Sequence, residues 1–461
     1  MNAPIRRLFV LVLGLFAALV FASSWWTVFG AEGLRENPDN RRLLFEEQRI
    51  KRGIIRAADG TVLAGNRSLG DDRYGRRYPE GDLFAHPVGF TSLDRGRTGL
   101  EDFYNDPLTG RRNDAIGALE RLLGPQDVGD DLRTTLVPRG QRAAYDALAD
   151  RPGAVVALDV ETGAVRVLAA TPSYDPSDPA NARIFDRATQ GRFPPGSTFK
   201  AVTATAALDS GRYEPGSQVS GANGKVISGT PLNNFGGEDF GPIDLTFALT
   251  NSVNTVWAEI GEKLGKDTMA DYMEKFGFYE NPPMDYPDRQ MVPSGEYSER
   301  SRLLSPTSGQ IDVGRMAIGQ DKLLVTPLQM ATVAQTIANG GVRMEPRLVD
   351  KVIDPDGRTI DEPLPDEAER VMSEDTSSQL TEMMRNVVRE GTGTAAALAG
   401  VEVAGKTGTA EVDVAANINT LWFIGFTDNV AVAAVVERQR GGFGGTVAAP
   451  IAKQVLEALG E

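Results

Sequence analysis

Cysteine is absent from all 461 residues, and histidine occurs once, as His86. The first absence excludes disulfides, thiolate nucleophiles and cysteine-held zinc or iron–sulfur centres. The second excludes a histidine-rich metal centre and leaves a Ser-His-Asp triad only if His86 supplies its base. His86 stands in Phe84-Ala85-His86-Pro87-Val88, a Pro/Gly-punctuated stretch with no nucleophile motif beside it. A satisfied structural histidine is the simpler reading, and if a serine is activated here, lysine is the expected base. Positive charge is also in deficit: 48 Lys and Arg against 63 Asp and Glu give a formal charge of -15. A nucleic-acid partner would need a local basic patch against that field, and the sequence shows none. No metal and no cofactor is expected.

One long apolar run is present. Residues 8–29 carry no charge, and about 22 helical residues at ~1.5 Å rise span ~33 Å, enough for a bilayer core. Arg6 and Arg7 precede the run, and Trp25 and Trp26 lie at its far end, where amphipathic rings favour the headgroup region. A cleaved signal peptide is the competing reading, but its apolar region should be shorter, and Ala22-Ser23-Ser24 is a poor cleavage site. An uncleaved, single-pass anchor in the cytoplasmic membrane is expected. The bulk of the chain is then expected to be extracytoplasmic, although Arg35, Arg41 and Arg42 dilute the charge bias that sets this orientation.

Beyond the run, residues 32–50 are polar and charge-rich and read as a tether or stalk helix. In Arg52-Gly53-Ile54-Ile55-Arg56-Ala57-Ala58-Asp59-Gly60-Thr61-Val62-Leu63-Ala64, Asp-Gly separates two apolar runs as a hairpin turn would. Punctuation by Gly, Pro and Asp continues to about residue 150, the mark of a small loop-rich module. After Arg151-Pro152-Gly153, residues 154–160 and 164–169 describe a buried strand, a turn and a second strand. Helices are expected over 197–208 and 245–264, and strands return at 421–426 and 430–437. Terminal strands enclosing a helical centre predict an α+β domain whose sheet is completed from both ends of the chain. The expected division is a tail at 1–7, an anchor at 8–29, a small N-terminal accessory module at 30–150 and the α+β domain at 151–461. Stretches 280–309 and 354–375 are the expected surface excursions.

Three motifs carry chemistry. In Pro194-Pro195-Gly196-Ser197-Thr198-Phe199-Lys200, proline and glycine end an irregular segment and a helix begins. Residues three apart share a helix face, so Lys200 can reach the Ser197 hydroxyl, and backbone N–H groups of the first turn are free for an oxyanion. Alone, such a spacing also fits a helix cap with an exposed lysine. Ser252-Val253-Asn254 offers side chains that could orient the base lysine and a substrate carbonyl, or merely a polar turn before a helix at 257–264. In Lys406-Thr407-Gly408-Thr409, preceded by an expected strand at 401–404, glycine points to the close approach of another backbone. The threonine hydroxyls with Lys406 could hold a carboxylate; a strand ending in a turn is the bland alternative.

In this order and at these long intervals the three motifs form a serine-acyltransferase pattern. With them the chain closely resembles a class B penicillin-binding protein, most of all the compact actinobacterial penicillin-binding protein A type. Arg52-Gly53-Ile54-Ile55, Gly99-Leu100-Glu101, Asp186-Arg187-Ala188-Thr189-Gln190, Val325-Thr326-Pro327-Leu328-Gln329 and Gly391-Thr392-Gly393-Thr394-Ala395 also look like landmarks of that family. The resemblance implies a pedestal followed by a transpeptidase domain with a five-stranded antiparallel sheet between helical layers. It implies that Ser197 attacks the D-alanyl-D-alanine bond of a peptidoglycan stem peptide, and that an amine of a neighbouring stem peptide resolves the acyl-enzyme. Lys200 would be the base, Ser252, Asn254 and Lys406 its catalytic partners, and the backbone N–H groups of Ser197 and Thr409 the oxyanion hole. Thr407, Gly408 and Thr409 would bind the substrate and its carboxylate, with β-lactams as inhibitors. The implied partners are the membrane, a polytopic glycosyltransferase and divisome or elongasome proteins. A D,D-carboxypeptidase or β-lactamase-like hydrolase and a non-catalytic divisome scaffold are the alternatives. Two departures stand out: Gly319-Gln320-Asp321 where Gly-Gln-Gly is usual, and Thr134-Thr135-Leu136-Val137 in place of a Leu-Thr-Ile-Asp run.

Overall fold

The computed structural model describes residues 2–26, 47–111, 128–181 and 184–461. The first element is a helix, Asn2–Trp25, apolar and long enough to cross a membrane, with none of its candidate span buried against the rest of the protein. It starts earlier than expected, so Arg6 and Arg7 are helical rather than part of a separate tail; Pro4 sits in the first turn, where its missing N–H costs no hydrogen bond. The expected end of the anchor at residue 29 and most of the expected stalk at 32–50 lie outside the described residues.

The central sheet has five antiparallel strands in the order Ala404–Asp413, Ile418–Phe426, Val430–Arg440, Gly153–Asp159 and Val165–Thr171. Strands from both ends of the chain build it, as the sequence predicts. Its inner strands are apolar on both faces because helices cover both. Alternation divides the residues between two cores: Val432, Ala434 and Val436 face one with helices Pro138–Leu148 and Gly444–Leu459. Ala431, Ala433 and Val435 face the other with Phe199, Val202 and Val333. Gln335 of helix Pro327–Ala338 ties that second layer to the sheet, its Nε2 donating to the Val160 carbonyl at 2.7 Å. Helix Pro138–Leu148 falls before the expected boundary at residue 150 yet packs on this sheet. Gln141 Nε2 donates to the Leu168 carbonyl at 2.8 Å, and Gly140 lies against Leu459.

A second, mixed sheet runs Thr359–Asp361, Val349–Ile353, Asp131–Thr134, Ile55–Arg56, Val62–Gly70 and Arg73–Arg77. Two of its strands come from the later part of the chain, so the N-terminal module is completed by residues 349–361. The Asp59-Gly60 turn forms as expected: Gly60 has φ +90°, and Asp59 Oδ1 accepts from the Thr61 amide at 2.9 Å. Beneath this sheet Glu101, fully buried, receives Arg52 at 3.0 Å and Arg76 at 2.6 Å. Stretch 354–370 is a surface arm, with Leu364 79% exposed, whereas Val371 and Met372 at the end of the expected excursion are buried. Stretch 280–309 differs from expectation: Tyr286 and Glu296 are buried, the latter hydrogen-bonded to the Tyr279 hydroxyl at 2.6 Å.

Candidate active site

Gly196 opens the site. Its φ of +53°, a conformation costly for any residue with a Cβ, turns the chain after Pro194 and Pro195 into a 3-10 turn, Gly196–Phe199, and the α-helix Lys200–Asp209 follows. Ser197 therefore lies in a tight turn ahead of the helix rather than in its first α-helical turn. Positions i and i+3 nearly eclipse in such a turn, which sets Lys200 under Ser197. The turn is pinned on three sides. The Gly196 amide donates to Gly319 O at 2.9 Å, Thr198 Oγ1 to Pro195 O at 2.8 Å, and Trp422 Nε1 to Pro194 O at 3.0 Å. Asp321, standing where the related pattern has glycine, has φ +63°. Aspartate tolerates this region better than most side chains, which accounts for the departure.

Ser252 interrupts the helix expected over 245–264. It adopts φ +56° between helices Leu245–Thr250 and Asn254–Leu264, and Trp257 Nε1 fastens the two by donating to Ala248 O at 3.1 Å. The break turns Ser252 and Asn254 inward to Lys200, whose Nζ donates to Ser252 O at 2.6 Å and Asn254 Oδ1 at 2.7 Å and lies 3.1 Å from Ser252 Oγ. Among the described residues no hydrogen bond joins the Ser197 hydroxyl to Lys200, which their spacing places within reach.

The third motif lies inside a strand rather than after one: Ala404–Asp413 is the edge of the five-stranded sheet, while 401–403 are outside it. Lys406 pairs with Ile424 and Thr409 with Leu421. A Cβ on Gly408 would lie 2.6 Å from Pro195 O, so glycine is what lets the Ser197 turn touch the strand. Lys406 Nζ donates to Ser252 Oγ at 2.9 Å and to Thr407 O at 3.1 Å. Thr409 Oγ1 accepts from the Gly444 amide at 3.2 Å, and Thr407 Oγ1 lies 2.6 Å from Thr392 Oγ1. In the sequence Thr392 stands out only as part of Gly391-Thr392-Gly393-Thr394-Ala395. The signal that could have found it is a threonine between two glycines, a hydroxyl on a segment free to approach another backbone.

Lys200 and Lys406 are both fully buried. Burial, and then the neighbouring Lys406 charge, holds the Lys200 amine well below the usual lysine range. Burial lowers Lys406 to about 7. Around Ser252 the pair thus favours one shared charge over two, an arrangement suited to moving a proton. His86 is buried edge-on against Tyr174, with ring centroids 5.3 Å apart, and takes no part in this cluster. Among the described residues no cluster of His, Asp and Glu is placed to hold a metal ion.

The sequence matches the penicillin binding protein transpeptidase domain over residues 153–457 and the penicillin binding protein A dimerisation domain over residues 52–130. It is 34% identical to the peptidoglycan D,D-transpeptidase PbpA of Mycolicibacterium smegmatis over 99% of both chains, and 33% identical to that of Mycobacterium tuberculosis with the same coverage. The fold is similar to a ceftriaxone acyl-enzyme complex of penicillin-binding protein A from M. tuberculosis, with a TM-score of 0.80 and 31% identity. That match covers 90% of this chain and 100% of the other. An imipenem acyl-enzyme complex of the same protein gives a TM-score of 0.79 at 30% identity, with the same coverage. The chain belongs to the penicillin-binding protein transpeptidase family.

Proposed function

We propose that this membrane-anchored protein is a peptidoglycan D,D-transpeptidase whose nucleophile is Ser197. The observation that carries the reading is the convergence of Lys200 and Lys406 on Ser252 Oγ, beside a half-buried serine held in a fixed turn. Neutral Lys200 takes the Ser197 proton as Oγ attacks the D-alanyl-D-alanine carbonyl. The amides of Ser197 and Thr409 stabilise the oxyanion. The C–N bond then breaks, D-alanine leaves with the proton returned through Ser252, and an acyl-serine remains. An amine of a second stem peptide attacks that ester and restores the Ser197 hydroxyl. Asn254 orients Lys200. Lys406, Thr407, Gly408 and Thr409 form the wall on which the peptide pairs by strand addition, a role suited to a sheet edge.

The body beyond the anchor is extracytoplasmic, with the start of the anchor helix inside, in keeping with Arg6 and Arg7 there. Residues 52–134, completed by residues 349–361, serve as pedestal or dimerisation module, the rest from helix Pro138–Leu148 onward as transpeptidase domain, and a polytopic glycosyltransferase with divisome or elongasome proteins as partners. The test is fluorescent penicillin on the full-length protein in detergent. Wild type is labelled covalently and Ser197→Ala is not; equal labelling of both would reject Ser197 as nucleophile. Incubation with polymerised lipid II then separates the activities, because a transpeptidase yields cross-linked dimers whereas a hydrolase yields only trimmed stem peptides.

A further inference from the structure

Thr392 lies in the segment between helix Glu374–Arg389 and the edge strand, and its Oγ1 is 2.6 Å from Thr407 Oγ1. Thr392 is exposed, whereas Thr407 is 6% exposed, so the pair joins the cleft wall to its rim. The Thr392 backbone is not free to drift. A Cβ on Gly391 would overlap the carbonyl of Thr250, at the end of the helix leading to Ser252, and a Cβ on Gly445 would overlap the Thr392 carbonyl itself. The amides of Gly391 and Gly393 donate to Asn386 O at 3.1 Å and Val387 O at 2.9 Å. Thr392 is therefore clamped between the Ser252 turn and the start of the C-terminal helix.

Two hydroxyls at this separation share one hydrogen, so one of their two protons remains to be given to a third group. Thr409 Oγ1 already accepts from the Gly444 amide, and its own proton is also uncommitted. A charged Lys406 uses two of its three N–H bonds, on Ser252 Oγ and Thr407 O. Four consecutive strand residues thus present three donors without acceptors among the described residues, a set suited to a carboxylate.

We propose that Thr392 is a positioning residue for the carboxylate of the bound peptide or β-lactam: it donates to Thr407 Oγ1 and so aims the Thr407 proton at that carboxylate. The proposal rests on the acyl-transfer reading above. Thr392→Val removes the hydroxyl while keeping the shape, and Thr392→Ser keeps the hydroxyl. Second-order acylation rate constants are measured for each with benzylpenicillin and with benzylpenicillin methyl ester, which lacks the charge. Loss of the hydroxyl–hydroxyl bond that aims the Thr407 proton is expected to slow Thr392→Val by up to about tenfold with benzylpenicillin. The ester reacts with this variant at the wild-type rate, and Thr392→Ser matches wild type with both compounds. Wild-type rates for Thr392→Val with both compounds, an equal loss with both, or failure of Thr392→Ser to rescue would each overturn the proposal. If the wild type itself is not acylated by benzylpenicillin, the acyl-transfer reading falls and takes this proposal with it. A labelled wild type with an unaffected Thr392→Val removes only the role of Thr392.

Discussion

Lys200 and Lys406 direct their amine nitrogens at one atom, Ser252 Oγ, from 3.1 Å and 2.9 Å. A hydroxyl can accept from one amine and donate to the lone pair of the other, and that arrangement avoids placing two buried positive charges side by side. Ser252 is then the bridge by which a proton passes between them. Ser252→Gly tests this without disturbing the backbone, because glycine adopts the native φ of +56° freely. Acylation by fluorescent penicillin is expected to fall at least about 100-fold, the lower end of what positioned acid–base groups contribute. A variant within about threefold of wild type would remove Ser252 from the proton path.

The two lysines also set the pH dependence. Acylation needs Lys200 neutral and Lys406 charged, so the rate constant for the free enzyme should trace a bell. Protonation of Lys200, whose pKa is held down by burial and by Lys406, gives the acid limb. Loss of the Lys406 proton gives the alkaline limb, at about 7 before a carboxylate binds. Guanidinium keeps its charge throughout the range. Lys406→Arg should therefore abolish the alkaline limb while keeping the acid one, at the cost of a slower maximum. A variant that keeps both limbs would mean that the alkaline limb belongs to another group.

How far these features could be read from the sequence depended on how local their causes are. The gathering of Lys200, Ser252 and Lys406 was legible because the three motifs occur together and in order, and residues 154–169 because buried antiparallel strands leave two apolar runs around a turn. The break at Ser252 was legible only as the alternative of a polar turn before a helix at 257–264, since no glycine or proline marks it and the left-handed residue is held by contacts with Lys200 and Lys406. The edge strand was placed too early because Lys406-Thr407-Gly408-Thr409 is polar, as a strand facing a cleft is, and polarity there resembles a turn. The pairing of Val349–Ile353 with Asp131–Thr134 and the contact of Thr392 with Thr407 depend on distant segments meeting. Neither leaves a trace in local periodicity.

Gly319 and Gly196 pack backbone to backbone, and this contact holds the Ser197 turn against the loop that carries Asp321. Gly319 has φ +73°, and a Cβ there would overlap the Gly196 carbonyl. Gly319→Ala combines left-handed strain with overpacking and should destabilise the domain by about 2–4 kcal/mol. Penicillin labelling should fall further than the folded fraction alone explains, because the Ser197 turn must shift. The opposite change, Asp321→Gly, should be neutral or stabilise by up to about 1 kcal/mol, since it relieves a positive φ. Thermal unfolding of the two variants beside wild type checks both signs, and a stabilised Gly319→Ala would refute the close approach.

Glu101 anchors the N-terminal module from a fully buried position between Arg52 and Arg76. Burial alone would raise its carboxyl pKa, but the Arg76 and Arg52 guanidiniums outweigh that and hold it below the usual carboxylate value. A carboxyl depressed in the folded state stabilises fully above its unfolded pKa and loses that contribution as pH falls through the folded one. The buried lysines act in the same sense higher up the scale, because the unfolded chain binds more protons than the folded one between their lowered values and 10.5. Glu101→Gln leaves two buried guanidiniums short of a counter-charge and should cost about 3–5 kcal/mol near neutrality. The loss should shrink toward low pH, where wild type gives up the same ion pair. Urea unfolding of both proteins at neutral and acid pH reads this directly, and a pH-independent difference would mean that Glu101 is held by shape rather than by charge.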